Sequence, residues 1–459
     1  MDNRVFTRLI PIIVAMPSSH VMKLALMLNL LFSALALSTP TPATYSSKSA
    51  YLSHLSKTNP TLPAGFTAHT SSLTFVPVEA PTLGELPMKL TAIIPPKDSE
   101  YAYVLTKNVL CGAPITYIKE MKGERLTSGI IINNKISNVL PSGNGLDSIS
   151  SLESQFRESF NTPTGHIIPG STGVIGWSLP VPSMLTSLKT LPQTLSLSPL
   201  ELASSILTTD RYPKIRSSKN ILALGKGAGM IEPNMGTMLV YILTDKKTKN
   251  MQSILKSVVD RTFNCITVDG DESTSDQVVL VSSGVSGEIS EKDFEKELEG
   301  VCKELSRDIV RNGEGTGHII NVKIEGFEGE DEEARELGKA VVNSPLFKTA
   351  VAGNDPNVGR VAAKVGSWCG KNNFPCTGLR MTLGGVEIFK NGSFQMDAKK
   401  EEELSEYMEE CGFGEKVDYM EHEREVELEI IFEGGEGKAE VWGSDLTKEY
   451  VAVNADYRS

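Results

Sequence analysis

The sequence predicts an α/β fold in which strands and helices alternate along the chain and pack in layers. Short apolar runs bounded by polar and turn-forming residues recur between residues 89 and 432, as buried strands do. Between these runs, apolar residues recur at spacings of three and four, which is the pattern of amphipathic helices. Because both patterns alternate through the same stretch, mixed layers are favoured over an all-helical or an all-β fold.

The predicted elements follow in chain order from residue 89. Apolar runs predict strands at Lys89–Ile94, Ala102–Leu105, Gly129–Asn133, Met238–Thr244, Gln277–Ser282, Ile319–Ile324 and Val426–Phe432. Three- and four-residue spacing predicts helices at Lys249–Arg261, Lys292–Asn312 and Asp331–Val342, the last two of which open with acidic residues that suit a helix N-terminus. Two acidic stretches, Glu325–Glu336 and Lys399–Glu410, are interpreted as solvated loop and helix surface.

Length and composition exclude several classes of protein. The 459 residues exceed the usual size of one domain, so two or more structural units are expected. Lys and Arg total 45 against 57 Asp and Glu, and the net charge of −12 disfavours nucleic acid or anionic lipid as the main partner. The six cysteines are scattered without a CxxC pair, which favours reduced, mostly buried thiols over a metal site or a disulfide framework.

The N-terminal segment differs in composition from the rest of the chain. Asp2 is the only acidic residue among the first 78, and a Ser-, Thr- and Pro-rich stretch follows two apolar runs at Leu9–Met16 and Met22–Leu37. A basic, acid-poor, Ser-rich leader is typical of organelle targeting, whereas the second apolar run also resembles the core of a secretion signal. Residues 1–60 are therefore predicted to be a targeting leader, and no membrane anchor is expected in the mature protein.

The sequence lacks the residues and motifs of several familiar catalytic sites. Only two of the six histidines, His318 and His422, lie beyond residue 167, and neither a GxSxG nor an HExxH motif occurs. The Gly225–Gly229 segment (GKGAG) lacks the spacing of a phosphate-binding loop, so a turn that requires small residues is favoured there. No metal site is predicted.

One segment permits an unusual nucleophile. Gly236 and Thr237 lie between a Gly-rich loop and the apolar run that follows. The ordinary interpretation is a β-branched residue at the start of a strand. The alternative is self-cleavage before Thr237, after which the freed α-amine serves as the general base for the Thr237 hydroxyl and no histidine is needed. A Gly before the cleaved bond suits this chemistry, because it best tolerates a strained backbone.

The segment Lys226–Leu239 (KGAGMIEPNMGTML) resembles the self-cleavage motif of the ornithine acetyltransferase (glutamate N-acetyltransferase, ArgJ) family of arginine biosynthesis. Further blocks resemble the family in the same order and extend the similarity from about residue 102 to the C-terminus. They are LTKN at 105–108, GAPI at 112–115, STGVIG at 171–176, TTD at 208–210, FN at 263–264, VDGD at 268–271, NSPLFKTA at 343–350, DPNVGR at 355–360, WGSDLT at 442–447 and NADYRS at 454–459.

The resemblance implies a layered sandwich of stacked sheets flanked by helices, cut at Gly236–Thr237 into an α chain (61–236) and a β chain (237–459). It implies transfer of acetyl from N2-acetylornithine through Thr237 to glutamate, with acetyl-CoA as an alternative co-substrate and no cofactor. The resemblance also implies a heterotetramer of α and β chains. The protein is expected in an organelle, with the mitochondrial matrix favoured and the plastid second. The family's oxyanion positions match Thr172 and Gly173, and its substrate-binding positions match Thr208, Lys226, Thr237, Glu314, Asn454 and Ser459.

Besides Gly236, where the family usually has Ala, four residues depart from the family pattern without removing a proposed catalytic group, namely Ser171, Trp177, His318 and Val358. Their effect is expected on rate and substrate preference. Three alternatives stay open on the sequence: a self-cleaving amidohydrolase or aminopeptidase in which water accepts the acyl group, an uncut non-catalytic relative, and an α/β enzyme that binds a nucleotide at the Gly-rich loop.

Overall fold

The computed structural model describes residues 51–53, 55, 60–123, 125–140, 145–232, 238–413 and 424–456. Within these ranges the strands are β1 (Thr67–Phe75), β2 (Leu86–Ile94), β3 (Ser99–Leu105), β4 (Leu126–Asn133), β5 (His166–Ser171), β6 (Leu195–Ser196), β7 (Lys214–Ser217), β8 (Ile221–Lys226), β9 (Leu239–Thr244), β10 (Ile266–Thr267), β11 (Gln277–Ser282), β12 (Ile319–Phe327), β13 (Arg380–Leu383), β14 (Val386–Lys390), β15 (Ser393–Phe394), β16 (Val426–Ile431) and β17 (Gly437–Ser444).

The helices in the same ranges complete the fold. They are α1 (Ala113–Glu120), α2 (Gly145–Phe160), α3 (Val181–Thr190), α4 (Pro199–Ser205), α5 (Met251–Arg261), α6 (Glu291–Arg311), α7 (Asp331–Val342), α8 (Pro345–Ala352), α9 (Val358–Asn372), α10 (Ala398–Cys411) and α11 (Lys448–Asp456).

The strands form two sheets. The first has the order β6-β1-β2-β4-β3-β11-β9-β8-β7, with β5 pairing alongside β4, and the second has the order β10-β17-β12-β16-β13-β14-β15. Both sheets are mixed, since β9 runs parallel to β11 and antiparallel to β8. In the second sheet, β12 runs parallel to β16 and antiparallel to β17.

The centre of the first sheet is buried on both faces. Every residue of β8, β9 and β11 is buried. Helices α5 and α6 pack on one face, and α1 and α4 pack on the other. This two-sided burial explains why these strands are nearly continuous apolar runs rather than alternating patterns.

Helix α6 lies between the two sheets. Its apolar side packs against β7 and β8 of the first sheet and against β10 and β17 of the second. The Ser290 hydroxyl caps the N-terminus of α6 by accepting the Asp293 N–H at 3.1 Å. Helices α7, α9 and α10 cover the second sheet. Helices and sheets therefore alternate in layers, which confirms the predicted α/β fold with stacked sheets and flanking helices.

The long apolar elements were predicted best. The bounds of β11 and α7 agree with the prediction at both ends, and β9 begins one residue later than predicted. The interpretation of Glu325–Glu336 as loop and helix surface is wrong at its start, because β12 continues to Phe327 before α7 begins at Asp331. Short strands such as β7, β13 and β14 gave too little periodicity to be predicted.

The cysteines, metals and membrane spans can be judged over the described ranges. All six cysteines are free thiols, four of them buried, as predicted. The described residues contain no cluster of three His, Cys, Asp or Glu side chains that could hold a metal ion. Among these same residues, no helix is both long enough and apolar enough to cross a bilayer. Residues 1–50, most of the predicted leader, lie outside the described residues.

Candidate active site

A cavity at one end of the first sheet gathers the predicted site residues. Its empty volume is about 780 Å³ with the open mouth included. All six predicted site residues that the structure describes line it, namely Thr172, Gly173, Thr208, Lys226, Glu314 and Asn454. Gly236, Thr237 and Ser459 lie outside the described residues. Residues on both sides of the predicted cleavage bond therefore share one cavity, although up to 282 positions separate them (454 − 172).

Thr172 and Gly173 lie in the turn directly after β5. The Thr172 N–H donates to the Asn133 carbonyl at 3.1 Å, and the Ser171 hydroxyl donates to the Asn133 side chain at 2.7 Å. Gly173 has a φ of +133°, and a Cβ there would overlap the backbone of Lys135. Only glycine fits this position without displacing the neighbouring turn, so the turn holds Gly173 at the cavity wall.

Lys226, the last residue of β8, is buried and reaches the same turn. Its Nζ donates to the Thr172 hydroxyl oxygen at 2.9 Å. Because an ammonium group only donates, the Thr172 hydroxyl keeps its own hydrogen for another acceptor. Burial lowers the pKa of Lys226, while the charges of Asp210, Asp276 and Glu314 oppose that shift. Lys226 is therefore a buried cation of the cavity rather than a surface charge.

A second buried lysine and an aspartate lie next to Lys226. Asp210 pairs with Lys214, and both side chains are fully buried. Asp210 also accepts the Gly227 N–H at 2.8 Å and the Thr208 N–H at 3.3 Å. Burial alone would raise the pKa of Asp210, but the ammonium groups of Lys214 and Lys226 lower it to about 2. Asp210 is therefore an anion that anchors the Gly-rich turn.

Glu314 also lines the cavity. The Glu314 N–H donates to the Ala228 carbonyl at 2.9 Å, and the Asn454 amide donates to the Glu314 carboxylate at 3.0 Å. Gly229 lies directly against this carboxylate, and a Cβ at that position would overlap it. The Gly-rich segment is thus a turn in close contact with an acidic side chain, in agreement with the interpretation favoured on the sequence.

The C-terminal helix α11 carries Asn454 to this cavity. The Thr447 hydroxyl donates to the Gly315 carbonyl at 2.6 Å, just before α11 begins. The Tyr450 hydroxyl donates to Asp269 at 3.3 Å. These contacts attach α11 to the turn that holds Glu314 and to the loop after β10, so a segment that reads as an ordinary chain end in the sequence belongs to the site.

Met238, the residue after Thr237, lies at the edge of the same site. Lys226 pairs with Leu239 across β8 and β9, which places the start of β9 beside the buried ammonium. The Met238 N–H donates to the buried carboxyl of Asp276. In the sequence, Asp210 was marked only as the last residue of the TTD block, and Lys214 and Asp276 were not marked at all; the only signal for Asp276 was a polar residue directly before an apolar run.

The four departures from the family pattern lie elsewhere. The His318 ring contacts Asp445 at 2.8 Å and the Met408 carbonyl at 3.2 Å. Val358 begins α9 in the core of the second sheet, and Trp177 packs on the helices over β1 and β2. Neither these three nor Ser171 is among the residues that line the cavity.

The cavity combines hydrogen-bond donors with a carboxylate. It is lined by Lys226, Thr172 and Gly173, with Lys226 bonded to the Thr172 hydroxyl, and also by Glu314. Donors grouped in this way can stabilise a developing oxyanion. A carboxylate in the same cavity can bind an ammonium group. The cavity is therefore equipped for a zwitterionic ligand whose carbonyl group reacts.

Two relatives are similar to this chain over most of its length, and a solved structure is similar to part of it. The sequence is 34% identical to the arginine biosynthesis bifunctional protein ArgJ 2 of Clostridium acetobutylicum, over 78% of this chain and 89% of the relative. It is 33% identical to the glutamate N-acetyltransferase of Methanopyrus kandleri, over 78% and 92%. The solved ArgJ structure from Bacillus halodurans aligns at 30% identity and a TM-score of 0.41, over 47% of this chain and 98% of that one.

The match to the family as a whole is as extensive. The sequence model of the ArgJ family matches residues 84–459, which include every strand described here except β1 and every residue of the cavity. The chain belongs to the ArgJ family.

Proposed function

We propose that this protein transfers acetyl from N2-acetylornithine to glutamate through an acetyl-Thr237 intermediate, after self-cleavage between Gly236 and Thr237. The observation that carries the proposal is the single cavity lined by residues from both sides of that bond. Family membership supports it, since relatives at 33–34% identity are named for arginine biosynthesis and for glutamate N-acetyltransferase activity.

Self-cleavage would create the catalytic base. The Thr237 hydroxyl attacks the Gly236 carbonyl, and the amide becomes an ester as the acyl group moves from nitrogen to oxygen. Water then hydrolyses the ester, which leaves a carboxylate on Gly236 and a free α-amine on Thr237. This amine takes the proton of the same hydroxyl in the transfer reaction. No histidine, metal or cofactor enters these steps.

Thr172 and Gly173 would stabilise the tetrahedral intermediates. The carbonyl oxygen of the acetyl group becomes negatively charged when the Thr237 hydroxyl attacks, and again when glutamate attacks the acetyl ester. Lys226 donates to Thr172 Oγ1 at 2.9 Å, so the Thr172 hydrogen is directed to another acceptor. A preorganised hydroxyl, a backbone N–H and a neighbouring ammonium together favour the anion.

The charges in the cavity are complementary to those of N2-acetylornithine. Glu314 would bind the side-chain ammonium of ornithine, with Asn454 holding the carboxylate in place at 3.0 Å. Lys226 would attract the substrate carboxylate, and Thr208 and Ser459 would complete the binding site. Asp210 and Lys214 neutralise one another beneath the cavity, so the charges of Lys226 and Glu314 dominate inside it.

The proposal is tested with purified protein and N2-acetylornithine, with and without glutamate. N-acetylglutamate should form in step with free ornithine, and denaturing mass spectrometry should give two fragments that meet between residues 236 and 237. Acetate released at the same rate without glutamate would instead indicate an amidohydrolase. An intact chain with no transfer would indicate a non-catalytic relative.

Replacing Glu314 with glutamine should weaken ornithine binding while leaving cleavage intact. The amide keeps the size of the side chain and its contact with Asn454 but removes the charge. We expect a roughly 10- to 100-fold increase in KM for N2-acetylornithine, because hydrogen bonds to charged groups contribute about 1.5–3 kcal/mol. Steady-state kinetics at saturating glutamate measures this change. An unchanged KM would contradict the proposed role of Glu314.

Replacing Gly229 with alanine should displace the Glu314 carboxylate, because a Cβ would overlap it. We expect a roughly tenfold or greater increase in KM for N2-acetylornithine, with self-cleavage retained. Gly300, inside α6 with no heavy atom within 4 Å of an added Cβ, is the matched control. Gly300→Ala should leave KM unchanged and stabilise the fold by about 0.5–1 kcal/mol, measured by urea unfolding. Equal KM values in both variants would contradict the prediction.

We also propose that this is a eukaryotic organellar form of the enzyme, a heterotetramer of α and β chains, with acetyl-CoA as an alternative acetyl donor. The acid-poor composition of residues 1–60 supports import into either the mitochondrion or the plastid. We favour the mitochondrial matrix because it is a common eukaryotic location for the family. Imaging of a tagged full-length chain tests the location. Light scattering of the cleaved protein tests the assembly, and N-acetylglutamate formation from acetyl-CoA without acetylornithine tests the donor.

A further inference from the structure

A buried carboxyl group lies where β9 and β11 begin. These strands run parallel, with Gln277 opposite Leu239, so the residues before them, Asp276 and Met238, are also neighbours. The Asp276 side chain is fully buried, and its Oδ1 accepts the Met238 N–H. Met238 is bonded directly to Thr237, so this hydrogen bond fixes one end of the peptide unit that carries the proposed nucleophile.

The rest of the Asp276 carboxyl has few partners. Oδ2 is buried and has no hydrogen-bond partner among the described residues. Lys226 faces the carboxyl from β8, and Ser273 and Glu272 lie near it in its own loop. Burial raises the pKa of Asp276 well above its usual range, and Lys226, Ser273 and the Met238 N–H only partly oppose this. This shift favours the neutral acid, which has one O–H donor, over the carboxylate.

The neutral form of the Asp276 carboxyl has a consequence for the oxyanion. Lys226 bonds Thr172 on one side and faces Asp276 on the other. An ionised Asp276 would add a negative charge near the position where the oxyanion develops. That charge would oppose the formation of the oxyanion. A neutral carboxyl can hold the Met238 backbone without cancelling the charge of Lys226.

We propose that Asp276 is a positioning residue for Thr237: by holding the Met238 N–H at the start of β9, its carboxyl sets where the nucleophile stands relative to Thr172 and Gly173. The inference rests on the proposed function of Thr237. It applies to self-cleavage and to acetyl transfer, because the same hydroxyl acts in both. A displacement of about 1 Å in a reacting group can cost on the order of 100-fold in rate.

The test compares Asp276→Ala with Asp276→Asn. Asparagine offers an acceptor oxygen to Met238 and an N–H where the neutral acid has its O–H. We expect Asp276→Asn to cleave and transfer within about threefold of wild type. Asp276→Ala should slow cleavage and lower kcat by roughly 10- to 100-fold, with KM for N2-acetylornithine within about twofold. Cleavage is followed by denaturing mass spectrometry and transfer by steady-state kinetics.

Stability against pH gives a second readout. Because the pKa of Asp276 is raised, the folded protein keeps a proton on this carboxyl at pH values where the unfolded chain has released it. Its contribution to stability is complete below the unfolded pKa of about 4 and is lost as pH rises through the folded pKa. Asp276→Asn removes that dependence, so its stability relative to wild type should increase with pH. Urea unfolding at several pH values measures this change.

A control on the same strand separates positioning from general destabilisation. The buried Ser282 hydroxyl, at the other end of β11, donates to the Lys246 carbonyl at 2.6 Å. Ser282→Ala should lower the melting temperature without changing cleavage or kcat. If Asp276→Ala does not fold, Asp276→Ser takes its place, since its shorter side chain cannot hold the Met238 N–H in the same way.

Each outcome decides the inference. Wild-type cleavage and kcat in Asp276→Ala would overturn it, as would a folded Asp276→Asn as slow as Asp276→Ala. A wild-type chain that is cut but transfers no acetyl would refute the proposed transfer reaction, and the cleavage rates would still decide the role of Asp276. A wild-type chain that stays uncut and inactive would overturn both proposals.

Discussion

Replacing Thr237 with alanine is expected to leave the chain in one piece and to abolish acetyl transfer. The substitution removes the hydroxyl that attacks the Gly236 carbonyl, so neither the ester nor the free α-amine can form. Because nucleophile and base are lost together, activity should fall by at least about 10⁴-fold. Denaturing mass spectrometry should show one uncut chain in place of two fragments, the second of 223 residues (459 − 236).

Thr237→Ser is the matched control for this experiment. Serine keeps the hydroxyl and loses only a methyl group, so cleavage should persist at a reduced rate and transfer with it. An uncut Thr237→Ala variant that is fully active would refute Thr237 as the nucleophile. The same refutation would follow from a cut Thr237→Ala variant, because another group would then have to attack the Gly236 carbonyl.

The second large effect is expected from Thr172→Val, which keeps the shape of the side chain and removes the hydroxyl. Lys226 would lose its acceptor at 2.9 Å, and the oxyanion would lose one donor. Removing one such donor typically costs about 10²- to 10³-fold in kcat. KM for N2-acetylornithine should change much less, since the missing hydrogen bond strengthens only in the transition state. Single-turnover acetylation of Thr237 measures the step directly.

Thr91→Val controls for the loss of a buried hydroxyl. Thr91 lies in β2 of the same sheet and donates to Ser205 at 2.7 Å, and it does not line the cavity. Its replacement should reduce stability by about 1 kcal/mol and leave kcat unchanged. If Thr172→Val and Thr91→Val lower kcat equally, the oxyanion role of Thr172 is refuted.

Together, the two substitutions separate the loss of the nucleophile from the loss of oxyanion stabilisation. Thr237→Ala acts on cleavage and transfer together, because both need the same hydroxyl. Thr172→Val leaves the nucleophile and its amine intact and acts on the anion that forms opposite them. A comparison of cleavage in the two variants therefore tells whether the oxyanion site also serves the maturation step.

Much of the fold could be predicted because its central elements have strong local patterns. Strands β9 and β11 are buried on both faces, so they appear as unbroken apolar runs, and α7 shows its spacing clearly. Helix α2, by contrast, is rich in serine and glutamate and buries only one narrow side. Strands β7 and β13 have four residues each, too few for a period to show.

The site followed from family resemblance rather than from local chemistry. Thr172, Lys226 and Glu314 have no distinctive pattern around them, and in isolation they would be read as a turn and two surface charges. Asp276 was missed, since one polar residue before an apolar run is a common strand boundary. Its significance comes from the parallel pairing of β11 with β9, which brings it to the residue bonded to Thr237.

The sequence by itself determined the layered α/β class, the buried central strands, the bond proposed for cleavage and the types of residue available for catalysis. These depend on local periodicity and on the order of short motifs, both of which are readable along the chain. Only the tertiary structure decided that Lys226 is buried against Thr172, that Gly229 lies against Glu314 and that Asp276 holds Met238. Such contacts join residues far apart in sequence, and burial and pKa arise from all their neighbours together.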